Sequence, residues 1–222
     1  ELGAGLQISP NGSRVLLALG LGEALQACVC QARGKEIRMW NTGQHWKLFD
    51  LGAESIERYG YPYLMLHRGD MHRVLVDALH KLRPGCVHLN HKVKHIAQDG
   101  QTVTLHFEQG PSATGDLLIG ADGVHSVVRH CLFGADQPVF TGCMAWRGLI
   151  PAEQLSAHLQ RPIGINWVGP GRHVVHYPVH RGEYMNFNGI MEVEGWQVES
   201  WSAQGTHEEC HATFAGWHDD IH

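Results

Sequence analysis

The sequence predicts a mixed α/β fold in two parts, and three observations carry that expectation. Met71, Leu75, Ala78, Leu79 and Leu82 recur at three- and four-residue steps from about Gly69 to Leu82, with Arg73, Asp77, Lys81 and Arg83 between them, which is the clearest amphipathic helix in the chain. Asp116 to Gly120 reads as a short buried strand that delivers a polar turn onto a second helix, from about Ser126 to Leu132. After Gly134 the pattern turns β-rich. Ile163 to Val168, Arg172 to Val179 and Tyr184 to Met191 are separated by Gly169-Pro170-Gly171 and His180-Arg181-Gly182-Glu183, the signature of an antiparallel meander. The expected division is therefore 1–135 and 136–222.

The remaining elements follow from local chemistry. Ser9-Pro10-Asn11 supplies a helix start for the apolar run Val15, Leu16, Leu19 and Leu21, which Gly20 and Gly22 break before a second short helix through Cys28. Lys35 to Trp40 and Trp46 to Leu51 read as two strands joined through Asn41-Thr42-Gly43. Pro84-Gly85 ends the long helix. Cys86 to Leu89, Lys92 to Gln98 and Thr102 to Glu108 read as strands, the last two joined by a tight Asp99-Gly100 turn. A helix from about His207 to Trp217 closes the pattern. Several of the early strands are spaced too closely for simple βαβ units.

Composition narrows the function. The 222 residues suffice for one large domain or two small ones with a real core. A net charge of −5, with no Lys/Arg run, argues against a nucleic-acid surface. No apolar stretch approaches the ~20 residues that span a bilayer and no signal peptide opens the chain, so a cytoplasmic protein is expected, with no membrane partner. Six scattered cysteines read as reduced thiols rather than a disulfide framework, and Cys28-Val29-Cys30 as two partly buried thiols rather than metal ligands. The 18 histidines are spread from His45 to His222, so they form no metal-storing tract.

The most informative string is Leu117-Leu118-Ile119-Gly120-Ala121-Asp122-Gly123-Val124-His125-Ser126-Val127-Val128-Arg129. Asp122 would present a carboxylate at the turn, Gly123 would let a ligand approach the backbone, and Ser126 would start the helix. An N-capping Asp beside a turn Gly is the structural alternative. The string resembles the second FAD fingerprint of the single-component FAD-dependent aromatic-ring hydroxylases. Gly3-Ala4-Gly5-Leu6-Gln7-Ile8-Ser9-Pro10-Asn11 and His67-Arg68-Gly69-Asp70-Met71-His72 resemble two further segments of that family, in the same order. Phe140 to Gly148 and Gly169 to Pro178 also match, closest to the branch with salicylate hydroxylase, 3-hydroxybenzoate 6-hydroxylase and 6-hydroxynicotinate 3-monooxygenase. The resemblance implies an FAD-binding Rossmann-like portion interleaved with an antiparallel substrate-binding sheet, as in the p-hydroxybenzoate hydroxylase-like fold.

The resemblance also implies a chemistry. NAD(P)H reduces FAD, O2 is activated on the reduced flavin, and a small aromatic substrate carrying a phenol takes up one oxygen atom. Arg68, whose guanidinium fork suits ribityl and phosphate oxygens, and Asp122 and Gly123 are then the FAD-binding residues. Val93 resembles the position whose backbone meets the adenine, or is a core valine. His173 is the first choice for the base that takes the phenolic proton, since an imidazole titrates near neutral pH. It shares a strand face with Val175 and Tyr177, and both His173 and Tyr177 match active-site positions of the hydroxynicotinate branch. A histidine satisfied within a half-buried sheet and an ordinary strand aromatic are the alternatives. Gln7 stands where that branch has a His, which points to a hydroxybenzoate rather than a hydroxypyridine; it binds substrate or flavin, or is a loop residue.

Two motifs of the family are absent: the Gly-x-Gly-x-x-Gly turn with its acidic partner, and a later Gly-Asp segment. An internal piece of a longer enzyme is therefore expected, with a flavin-fold remnant lacking cofactor as the alternative for the chain alone. A rival enzyme class rests on His207-Glu208-Glu209-Cys210-His211, which fits the His-Glu-x-x-His pattern of zinc hydrolases. The longer protease pattern fails after His211, so no metal site is expected. The sequence leaves open the ring substituents, NADH against NADPH, and the oligomeric state, a homodimer among the options.

Overall fold

A computed structural model describes residues 4–195 and 203–222 of the chain; Gly3, the first residue of one matching segment, lies outside them. The chain begins with β1 (Gly5–Ile8), α1 (Pro10–Ala18), α2 (Gly22–Gln26) and β2 (Cys30–Gln31). Pro10 sits in the first turn of α1, where its missing N–H costs nothing, and Gly20, at φ +78°, turns the chain away after it. Next come β3 (Gly34–Met39), β4 (His45–Asp50), α3 (Ala53–Tyr59), β5 (Leu64–His67) and α4 (Arg68–Leu82). Gly60, in the left-handed conformation, ends α3. Then follow β6 (Val93–Gln98), β7 (Val103–Phe107), β8 (Ala113–Gly115) and α5 (Val127–Phe133). The last group is β9 (Cys143–Pro151), β10 (Ile163–Gly169), β11 (Arg172–Val179), β12 (Tyr184–Glu192) and α6 (His207–Thr213).

These elements form two compact units. The larger combines Glu1–Leu79 with Gly142–His222, and the smaller is His80–Thr141. The units are thus drawn differently from the 1–135 and 136–222 division of the sequence, because the early hairpin β3–β4 joins the late meander. In the larger unit a six-stranded sheet has the order β4-β3-β10-β11-β12-β9, with β3 and β10 parallel and the other pairs antiparallel. One face of this sheet carries Ile165, Trp167 and Val174, sealed by Phe214 and Trp217 from the C-terminal segment. The other face carries Tyr177 and Val179, packed against Cys30, Ala32 and Met65 of a three-stranded sheet, β1-β5-β2. Leu66 points to the far side of that small sheet, where Leu21, Leu25, Met71 and Val74 of the helical layer cover it. Alternate residues of one strand, Met65 and Leu66, therefore serve two different cores.

The smaller unit is a β6-β7-β8 meander with α5 packed on β6. Two sequence expectations fail here. Cys86 to Leu89 is not a strand; Leu89 is exposed and Asn90 turns with φ +62°. Asp116 to Gly120 is not a buried strand either. It is irregular, with Leu117 and Ile119 each 80 % exposed, since among the described residues no strand lies beside it to complete a ladder. The helix expected from His207 to Trp217 ends at Thr213, and β1, β2, α3, β5, β8 and β9 were not anticipated. Among the described residues no helix is long and apolar enough to cross a membrane.

The face of the six-stranded sheet beneath the C-terminal segment is held by a polar anchor as well as by apolar packing. Trp167 Nε1 donates to His176 Nε2 at 3.1 Å, both side chains being buried, so His176 must be neutral at that nitrogen. Burial, followed by the nearby Arg38 guanidinium, pushes His176 down to about 4. Between that value and the ordinary histidine range the unfolded chain binds the extra proton and the fold does not, so stability falls as pH falls through this window. We expect the parent to lose about 2 kcal/mol more than His176→Gln between pH 7 and pH 5, read from urea midpoints; equal losses would mean that His176 is not the acid-sensitive group.

Candidate active site

The residues of interest lie on the face of the six-stranded sheet that meets the small sheet, and strand register arranges them in rows. Lys35 pairs with Gly164, Ile165 with His176, and Tyr177 with Asn186, which sets Lys35, Gly164, Tyr177 and Asn186 level across β3, β10, β11 and β12. Two residues along, Ile37, Asn166, Val175 and Asn188 form the next row, and then Met39, Val168, His173 and Ile190. At ~3.3 Å per residue, His173 and Tyr177 stand about 13 Å apart along one strand, with Val175 between them. His173 is half-buried in an otherwise apolar row, whereas the Tyr177 row is polar.

Gln7 reaches that polar row from β1. Its Oε1 accepts from the Tyr63 hydroxyl at 2.9 Å, and Tyr63 is itself half-buried, so burial raises its phenol above the usual range. Tyr177 is buried, and desolvation pushes its phenol up to about 12, with the Gln7 side chain pulling the other way. It therefore stays protonated near neutral pH and serves as a hydrogen-bond donor or acceptor, not as a base. Asn186 is 1 % exposed. Its Oδ1 accepts from Gly5 N at 2.7 Å, while its Nδ2 is buried with no protein partner, as is Asn166 Oδ1 in the next row. Gly5 has no room for a side chain, since a Cβ there would stand 2.6 Å from Asn186 Cγ and 2.7 Å from the Tyr177 hydroxyl.

The structure thus brings Gln7, Tyr63 and Tyr177 together and sets His173 on the same face at a distance. His176, also on β11, is removed from the site: it faces the opposite core and is held at Trp167. Lys35, Tyr63, Asn166 and Asn186 were missed in the sequence. The strand that positions Tyr63 was not recognised, and the asparagines and lysine became meaningful only once register placed them in rows.

Arg68 is exposed at the first position of α4, and its backbone N donates to Ala4 O at 2.9 Å, tying the start of that helix to the β1 entrance. Two residues on, Asp70 is buried and pairs with Arg73 and with His180 Nδ1, the latter at 2.8 Å, while the His67 and His180 rings stack with centroids 4.6 Å apart. His67, Asp70 and His180 have the residue types of a metal site. The Arg73 guanidinium already occupies the Asp70 carboxylate, and the His180–Asp70 contact clamps the β11–β12 turn to α4. His180 and Arg181 hold consecutive positive φ angles of 48° and 58° there, a strained pair that the clamp offsets. Cys30 lies against the same turn, buried and pushed up to about 11, with a Gly182 backbone hydrogen bond opposing; it is a neutral packing thiol.

In the smaller unit, Asp122 Oδ1 accepts from Ser126 Oγ at 2.5 Å and Oδ2 from Val128 N at 3.1 Å. The Ser126 bond foremost holds its exposed carboxyl below the usual range. Asp122 and Ser126 together cap α5. Gly123, at φ +82°, has no heavy atom within 4 Å of where a Cβ would stand, leaving open backbone that a bulky ligand group can approach. Val93 opens β6 opposite Phe107, half-buried, beside a bulge. The His207-Glu208-x-x-His211 residues lie exposed on the seven-residue helix α6, where Glu209 closes a capping box with Thr206 and the His211 ring lies tilted against His222.

A sequence profile described as FAD binding domain matches residues 5–219. The 3-amino-4-hydroxybenzoate 2-monooxygenase of Streptomyces platensis is 38 % identical over 221 residues, covering all of this chain and 55 % of its own length. The 6-hydroxynicotinate 3-monooxygenase of Bordetella bronchiseptica is 31 % identical, with 57 % of its length covered. A crystal structure of Klebsiella pneumoniae HpxO complexed with FAD and uric acid superposes with a TM-score of 0.80 at 26 % identity, over 98 % of this chain and 54 % of that one. The chain therefore spans about half the length of the curated relatives it matches.

The Gly5 contact yields a direct test of the polar row. Gly5→Ala should cost about 1–3 kcal/mol of stability in chemical denaturation, because the methyl forces Tyr177 and Asn186 apart. A neutral effect would show that the approach of β1 to β11 and β12 is loose.

Proposed function

Since the chain belongs to the FAD binding domain family, we propose that it is part of an FAD-dependent monooxygenase that hydroxylates a phenolic aromatic acid, such as a hydroxybenzoate, with NAD(P)H and O2. The observation that carries this reading is the face holding Tyr177 and His173, where a polar row and an apolar row flank Val175 over ~13 Å. A flat ring with polar substituents at its ends suits such a surface: apolar contact under the ring, hydrogen bonds at the rim. Relatives 38 % and 31 % identical carry the names of hydroxybenzoate and hydroxynicotinate monooxygenases.

FAD, reduced by NAD(P)H, supplies the activated oxygen when bound. The residues that would hold it are Asp122, whose ionised carboxylate is fixed by Ser126 and the α5 backbone, and Gly123, whose open left-handed turn fits a close approach. Arg68 offers an exposed guanidinium to anionic groups, and Val93 lends backbone at the start of β6. His173 takes the phenolic proton, which raises the electron density of the ring carbon to be hydroxylated. Tyr177 stays protonated at neutral pH and orients the substrate through its hydroxyl. Gln7, locked by Tyr63, fixes that hydroxyl in turn. The assignment of His173 rests on its place in the row and on the general suitability of an imidazole as a proton acceptor.

The expected outcome separates chemistry from cofactor retention. In the full-length protein, His173→Ala should keep FAD and lose hydroxylation by ~10²–10⁴, the usual effect of removing a positioned acid-base group. NAD(P)H oxidation should fall less, with the surplus electrons recovered as hydrogen peroxide. Asp122→Ala should instead lose flavin on gel filtration. Full-rate, coupled hydroxylation by His173→Ala would place the base elsewhere.

A further inference from the structure

Lys35 occupies an unusual position for a lysine. It sits in β3, the second strand of the six-stranded sheet, half-buried, on the same face as Tyr177 and His173. Its neighbours along the strand face away: Glu36 and Arg38 lie on the opposite face, bound to each other, to Arg161 and to Asp220. Asp50, at the end of β4, is engaged by Lys47 and by Gly52 N. Among the described residues no carboxylate pairs with Lys35, and its Nζ lies 5.7 Å from the centroid of the Tyr63 ring. An ammonium drawn out of water loses hydration, and a ring face returns only part of it.

The path of the side chain indicates what it serves. A Cβ built on Gly164 would meet Lys35 Cγ at 3.7 Å, Lys35 Cε at 3.8 Å and Gln7 Oε1 at 3.9 Å. The lysine stem therefore crosses over the bare backbone of Gly164, heading for the Gln7–Tyr63–Tyr177 group. A glycine inside a central strand weakens the sheet and is found where something must approach the backbone closely. In the same face, Asn186 Nδ2 is buried without a protein partner, on a side chain 1 % exposed, and so is Asn166 Oδ1. One unpaired cation and an orphaned amide donor thus border the same polar row. Both are complements of an anionic oxygen pair.

We propose that Lys35 anchors the carboxylate of the aromatic substrate, with Asn186 Nδ2 and the Tyr177 hydroxyl as neighbouring donors, and so makes this site select aromatic acids over neutral phenols. This rests on the hydroxylase reading above, and it adds which end of the substrate lies where. The carboxylate sits at the Lys35–Gly164–Tyr177 row, the ring lies over Val175, and the phenol points towards His173. Lys35 is a specificity-determining residue in this scheme; it forms a charge-assisted hydrogen bond and takes no proton from the substrate.

The test is a ratio of affinities, measured on the flavin-loaded full-length protein. Dissociation constants are determined by calorimetry for 3-amino-4-hydroxybenzoate and 3-hydroxybenzoate, each against its carboxamide, in the parent, Lys35→Met and Lys35→Arg. The parent should favour each acid over its amide by about 10–100-fold, the value of one charge-assisted hydrogen bond. Lys35→Met should collapse that ratio to near unity, and Lys35→Arg should retain most of it. An unchanged ratio in Lys35→Met overturns the proposal, as does a parent with no preference for the acids, which needs no variant at all. Product analysis distinguishes the two levels: an acid preference that depends on Lys35, but no hydroxylated product from any of the four compounds, would count against the hydroxylase reading and leave the anion site standing.

Discussion

The parallel pairing of β3 with β10 is the constraint on which the rest of the structure depends. Six register pairs, from Gly34–Ile163 to Met39–Val168, join segments that lie far apart in sequence. Such a contact carries a large loop-closure cost and is slow to form, so it must be rewarded by what it makes possible. It attaches the β3–β4 hairpin to the late meander, turning a four-stranded antiparallel array into a six-stranded sheet. It also fixes register, and register places Lys35 beside Gly164 and level with Tyr177 and Asn186. A slip of one residue would move Lys35 to the other face, among Trp167 and Phe214, where an ammonium has no place.

The two faces of that sheet answer different demands. Beneath the C-terminal segment the surface is largely apolar, with aromatic rings meeting edge to face, as Phe187 and Phe214 do, and a buried polar contact between Trp167 and His176. Arg38 lies over Trp167 and runs into a network with Glu36, Arg161 and Asp220, which closes the rim. Most of that face is satisfied within the chain, although Arg38 Nε is buried there without a partner. The opposite face leaves more open: Asn186 Nδ2 and Asn166 Oδ1 are buried without partners, and among the described residues no carboxylate pairs with Lys35. Natural interiors seldom leave such groups unpaired, and ligand sites are where the exceptions gather. On the proposed function, that difference separates a scaffold surface from a working one.

Much of this was legible in the sequence, for identifiable reasons. Long periodic segments such as α4 and the β10–β12 meander announce themselves, because burial imposes their spacing. Arg68, Asp122 and Gly123 stand on strings specific enough to be recognised as they are written. The short elements were hidden. β1 and β5 are four residues each, and Leu64-Met65-Leu66 is too brief an apolar run to reveal a strand that faces two cores. Asp116 to Gly120 misled in the opposite direction: its apolar residues read as a buried strand, but strand pairing is a property of neighbours that the string does not contain. The polar row was the least visible feature, since Lys35, Gly164, Tyr177 and Asn186 share no motif and meet only through register. The His67–Asp70–His180 clamp is of the same kind, assembled across β5, α4 and a turn with two strained residues.

On the proposed function, the aromatic ring lies on the face running from Tyr177 to His173. A crystal structure of the full-length protein soaked with 3-amino-4-hydroxybenzoate reads this directly. The expected result is the ring over Val175, its carboxylate at Lys35 and its hydroxyl towards His173. A ring bound on the opposite face of the sheet, beside Trp167, or anywhere clear of the β11 strand, would contradict it.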